Sequence, residues 1–225
     1  MATTAHFGPG LFEFLAELKE NNDRAWFEAN KRRYAEAVQE PMLRFIGDLG
    51  GALERIAPEF VANPRRVGGS MFRIHRDTRF SKDKSPYKTA AAAHFRHSAA
   101  PKGVSAPGFY LHLEPGSCFG GGGIYHPDPG SLRRVRDRIA AEPEEWREVR
   151  RMKLPIQGEA LKRAPAGYDP AHPFIEDLKL KDLYAMASFT EREVCAPDFL
   201  ERYAAVCATT APLLRFVSRA LELPW

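Results

Sequence analysis

Apolar residues recur at helical spacing towards both ends of this chain and alternate with polar ones in its middle. After Pro9-Gly10, Leu11, Phe14, Leu15 and Leu18 fall at i, i+3, i+4 and i+7, which predicts a helix. Asn21-Asn22-Asp23 ends it and caps a second helix, because short polar side chains accept from the free amides of a helix start. Trp26, Asn30, Tyr34 and Val38 then lie four apart on one face, with Asn30 the odd member of the stripe. Pro41 predicts a break or a restart, and Leu43, Ile46, Leu49, Leu53 and Ile56 carry the helix on towards Pro58.

The period changes after a turn-rich connector from Pro58 to Gly69. From Met71, Phe72 and Ile74 point one way and Arg73 and His75 the other, as in a strand. Continued, that strand would bury Arg76, so it should turn there or Arg76 should meet a carboxylate, Asp77 and Asp83 being nearest. Residues 77–88 read as a shaped loop. Thr89 to His97 has the alanine content of a helix, but its short span before the Pro101-Lys102-Gly103 loop favours a strand. Gly108 to Glu114 alternates cleanly, Glu114 to Ser117 turns, and Cys118 to Tyr125 returns. Gly120 to Gly123 inside that return predict a bulge or the close approach of a side chain or ligand.

Asp128 and Pro129 open a helix with Leu132, Val135 and Ile139 inward and Arg133, Arg134, Arg136 and Arg138 on a solvated face. A helix from Pro143 to Met152, a loop over 164–173, a short helix near 174–180 and a strand over 183–189 follow. Thr190 and Glu193 have capping-box spacing, and terminal helical turns run from Phe199 to Leu221, restarted at Pro212. The expected fold is one α+β domain over 1–225: helical over 9–57, sheet-rich over 67–125, helical over 128–225 with one strand near 183–189. Tight connections make the sheet mostly antiparallel, with N-terminal and C-terminal helices packed on it.

Charge narrows the picture to one place. The chain has 33 Lys+Arg and 29 Asp+Glu. Met71 to Lys88 holds six of the bases and two of the acids, so the rest carries 27 of each and is neutral. The net +4 is therefore local. Within the stretch, Arg73, Arg76 and Arg79 could grip a phosphate or carboxylate with planar two-pronged bonds, Lys84 could neutralise it, Asp77 and Asp83 orient the guanidinium groups, and Tyr87 wall a pocket, with Lys88 a further binding candidate. Trp26, Asn30, Gly122 and Tyr125 are secondary candidates. The bland alternative is an Arg–Asp network that only ties the loop down.

Most other chemistry is excluded by its missing signatures: GxSxG, HExxH, GxxxxGK[ST] and GxGxxG leading into a helix are all absent, and Cys118, Cys195 and Cys207 make no CxxC. No cofactor is implied. His75, Asp77 and Glu114 are the ingredients of a metal-dependent phosphoesterase or nuclease-like site, which would need a divalent metal. A third alternative is nucleic-acid binding through the loop and the Arg133 to Arg138 face, which a pI near 9.0 permits. The start MATTAHFGPG has no signal-peptide pattern, no apolar run is long enough to span a bilayer, and an odd cysteine count argues against a disulfide framework. A cytoplasmic protein with a small anionic ligand as partner, and no membrane association, is the expectation.

Arg73-x-x-Arg76-Asp77-x-Arg79-Phe80, followed by Asp83-Lys84 and Tyr87, is a long and specific pattern. With it go Asn21-Asn22, Trp26-Phe27 and Asn30, the Leu113-Glu114-Pro115-Gly116 turn, Gly121 to Tyr125, Arg163-Ala164-Pro165 and Gly167-Tyr168. On these residues the chain resembles, over nearly its whole length, a bacterial family called domain of unknown function 2461. That resemblance implies kinship and brings no activity with it.

Overall fold

The computed structural model describes residues 5–79, 82–101 and 105–225. Phe80 and Ser81 of the basic loop, and Lys102 and Gly103 of the loop after Pro101, lie outside the described residues.

Three helices open the chain: α1 (Pro9–Glu20), α2 (Arg24–Tyr34) and α3 (Glu40–Ile56). Asp23 caps α2 by accepting from the Trp26 amide at 2.9 Å. Between α2 and α3 the backbone widens into a π-helical turn, Ala35–Gln39, with the Glu40 amide donating to Ala35 O. Pro41, in the first turn of α3, lacks an amide, so the ladder shifts register there instead of breaking. The sheet follows as β1 (Ala91–Arg96), β2 (Gly108–Glu114) and β3 (Ser117–Ile124), joined later by β4 (Leu183–Phe189). Its order is β1-β2-β3-β4 and every pairing is antiparallel. Helices α4 (Pro129–Ala141), α5 (Pro143–Arg150) and α6 (Ile175–Leu178) precede β4, while α7 (Glu191–Val194) and α8 (Phe199–Ala220) close the chain. This is the α+β domain that the sequence predicts, with helices at both ends.

One face of the sheet makes the core. Phe95, Phe109, Leu111 and Leu113 are fully buried against α1, α3 and α8 residues such as Leu15, Phe45 and Tyr203. Ile124, Leu183 and Ala185 pack with Val135, Ile139, Trp146, Phe216 and Val217. Helix α8 lies directly on β3 because that strand has no side chains in the way. A Cβ on Gly120 would stand 2.6 Å from Tyr203, and one on Gly122 would stand 2.7 Å from Leu214. The close approach that the glycines predict is therefore made by α8.

The expected restart at Pro212 does not occur; α8 runs through it. Burial on both sides of the proline, at Tyr203, Cys207, Leu213, Leu214 and Val217, outweighs the roughly 3 kcal/mol that an interior proline costs. The Thr210 hydroxyl, fully buried, donates to carbonyls of the preceding turn at 3.1 and 3.2 Å. Among the described residues no helix is long and apolar enough to cross a membrane.

Candidate functional site

The basic stretch is hung between two partners. Phe72 donates its amide to Ala92 O, and the His94 amide donates to Ser70 O, so residues 70–72 run along β1. Two residues on, the Arg76 amide donates to Pro86 O and the Lys88 amide to Ile74 O. The chain changes partner at Arg73. That is why the strand expected from Met71 is only a set of isolated bridges, Met71 with Ala93 and His75 with Tyr87. It also splits the expected apolar face: Ile74 is buried, whereas Phe72 is 42% exposed.

A side chain from the turn before α2 pins the returning limb. Asn22 donates through Nδ2 to Tyr87 O and accepts at Oδ1 from the Tyr87 amide, both at 3.0 Å, as a neighbouring strand would. Tyr87 is buried, its ring stacked on Phe27 with centroids 4.1 Å apart.

Inside the loop the acids are spoken for. Asp77 accepts from Arg79 at 3.0 and 2.7 Å, which lowers its pKa together with a bond from the Arg79 amide and the field of Arg73. Asp83 accepts from the Ser85 hydroxyl and amide and from Arg76, and is held at about 2. Arg76 thus meets a carboxylate, Asp83, as its position required. Lys84 donates to Thr78 O at 2.9 Å. Lys88 lies 5.0 Å over the Phe72 ring, and burial, then the charge of Arg73, lowers its pKa. Arg73 itself is exposed and forms no ion pair among the described residues.

Two hollows flank residues 71–76. The larger, about 530 Å³, lies between α2 with its π-helical extension and the limb 71–75. Phe27, Tyr34, Met71, Phe72 and Ile74 line it, together with Lys31, Arg32, Arg66, Arg73 and His75. No carboxylate lines it among the described residues. Lys31, Arg32 and Arg66 do pair with Glu28, Glu36 and Glu40, but these acids sit outside the hollow. Burial pushes the Tyr34 phenol up to about 12, so it stays protonated and able to donate. The smaller hollow, about 360 Å³, is lined by Arg24, Glu28, His75, Arg76, Thr78, Pro86 and Tyr87. His75 is common to both.

Other sequence candidates fall elsewhere. Glu114 accepts from Thr89 at 2.7 Å and lies 3.3 Å from His112 Nε2, whose Nδ1 is 3.0 Å from the Tyr110 hydroxyl. This line along β2 occupies the sheet face opposite the core. His75 and Asp77 are not part of it, and among the described residues no three His, Cys, Asp or Glu side chains come together as metal ligands. Trp26 packs on Phe14, Asn30 bonds Trp26 O and Arg33, and neither lines either of these two hollows. Gly122 is under α8. Tyr125 is exposed at the end of β3, beside His126 and Tyr184.

The hollow also draws on residues that the sequence reading passed over: Lys31 and Arg32 from α2, and Arg66 from the connector. The available signal was Phe27, Lys31 and Tyr34 at i, i+4 and i+7, a second stripe beside the aromatic one. Compared with known proteins, residues 10–216 match the model of a family described as conserved hypothetical protein (DUF2461). No curated protein matches the chain.

Proposed function

Given that the chain belongs to the DUF2461 family of conserved hypothetical proteins, we propose that it binds a phosphate- or carboxylate-bearing ligand in the larger hollow. One observation carries this reading: four cationic side chains come from three separate segments to a concave surface that, among the described residues, no carboxylate lines. Lys31, Arg32 and Arg66 already pair with Glu28, Glu36 and Glu40, whereas Arg73 forms no ion pair among the described residues, so an anion would find its main charge-assisted partner in Arg73 and added donors around it. Arg73 is the principal contact, with Lys31, Arg32 and Arg66 around it and the Tyr34 hydroxyl and His75 as further donors. Arg76 and Arg79 take a different part. Each holds an acid of its own loop, which supports a structural role for this pair.

The test is an amide-resolved NMR titration with inorganic phosphate and with acetate. Shifts should gather at Phe72 to His75 and Lys31 to Ala35 and vanish in Arg73→Ala, since a charge-assisted contact is worth about 1.5–3 kcal/mol. Arg79→Ala should bind as the native protein does. Shifts spread evenly over the surface, or unchanged by Arg73→Ala, would refute the assignment.

A further inference from the structure

The hollow is larger than an oxyanion requires, and part of its lining is apolar. Phe27, Met71, Phe72, Ile74 and the ring of Tyr34 share its lining with the cations. The most exposed of these apolar residues is held in place: the Phe72 ring lies parallel to His94 at 6.3 Å and edge-on to Tyr110 at 6.2 Å, with the Lys88 ammonium 5.0 Å from its centroid. An apolar side chain left 42% exposed but braced on several sides is a preformed contact surface. A volume of about 530 Å³ falls in the range of sites for small organic molecules.

The rest of the lining speaks for the charge. Arg73 offers a forked donor with no ion pair among the described residues, while Arg32, Arg66 and Lys31, from α2 and the connector, bring the donors left over from their pairs with Glu36, Glu40 and Glu28. A carboxylate has two oxygens and one charge for these groups. A phosphate monoester has three free oxygens and nearly two charges, and matches donors arriving from several directions.

We propose that the ligand is a phosphate monoester of a hydrophobic alcohol, its phosphate among Arg73, Arg66, Arg32 and Lys31 and its apolar body on Phe72, Met71 and Ile74. This inference rests on the anion-binding reading of the same hollow. Two kinds of body share that chemistry, a flat ring and an alkyl chain, and the apolar part of the lining accepts either.

Calorimetric titration of the native protein with 1-naphthyl phosphate, n-octyl phosphate, glycerol phosphate and inorganic phosphate separates the claims. At least one hydrophobic ester should bind about tenfold or more tightly than glycerol phosphate, a modest share of what burying such a body can supply. Whichever of the two binds better identifies the body. Phe72→Ser should remove that advantage without altering affinity for inorganic phosphate, whereas Arg73→Ala should weaken every phosphate. Equal affinity for all four compounds would overturn the hydrophobic body and leave anion binding standing. 1-Naphthol binding as tightly as its phosphate, or none of the four binding, would overturn both. Circular dichroism of each variant confirms that it is folded.

Discussion

Asn22 is the residue on which the shape of the basic loop most directly depends, and Asn22→Ala should show it. The native amide makes two 3.0 Å bonds to the main chain of Tyr87, one as donor and one as acceptor. Tyr87 is buried, so its amide and carbonyl cannot simply exchange Asn22 for water. Leaving a buried group without its partner costs about 1–3 kcal/mol, and about 2 kcal/mol is the expected loss. For a chain of this length that is a fall of about 4–8 °C in Tm, read by calorimetry or circular dichroism. Asn22→Asp should be comparably damaging, because a carboxylate can accept from the Tyr87 amide but has nothing to donate to Tyr87 O. The control is Asn21→Ala. That side chain is exposed and, among the described residues, donates to Glu17 O alone, so its loss should stay within about 0.5 kcal/mol. Asn21→Ala and Asn22→Ala with equal Tm would show that the two bonds to Tyr87 hold nothing.

Three further outcomes follow from the packing. Gly120→Ala should destabilise by about 1–3 kcal/mol in urea titration, since its methyl would meet the fully buried Tyr203 ring at 2.6 Å. Trp146→Phe should cost about 1.5–3 kcal/mol by the same measurement: the indole donates to Asp177 at 2.8 Å, and among the described residues that buried carboxylate would keep Arg150, at 3.5 Å. His94 gives a pH signature. Burial, and then the charge of Arg96, depresses its pKa from 6.5 to about 4, so the unfolded chain takes up the proton first as pH falls. Stability should be unaffected by this group above pH 7 and drop by up to about 3 kcal/mol between pH 6.5 and 4. His94→Gln should lack that part of the drop, and an identical pH profile in both proteins would disprove it.

What the sequence disclosed and what it hid divide along physical lines. Strands β2 and β4 begin and end where their alternation says they should, because one face is core and a slip of one residue would expose it. The caps at Asp23 and Asp128 and the Thr190–Glu193 box were legible for a similar reason, each being satisfied within four residues. Pro212 misled because a local rule was overridden by burial from distant elements. The strand expected from Met71 misled because alternation cannot show that a segment trades one neighbour for another midway. Of the sequence candidates, Arg73 and His75 line the larger hollow, and His75, Arg76 and Tyr87 line the smaller. Local charge excess could not find Lys31, Arg32 or Arg66. Their place in its lining comes from the meeting of separate segments, and each looks ordinary beside its own glutamate.

The exchange of partners at Arg73 has a consequence for motion. Protons on the amides of Phe72 and His94 are shielded by the sheet, while those of Arg76 and Lys88 are shielded only by the loop closing on itself. Deuterium should therefore enter the second pair well before the first, as two units that breathe apart. Arg73 is the hinge pin between them. An anion clasped there would join loop to sheet, and slowed deuterium uptake at Arg76 and Lys88 would announce its arrival.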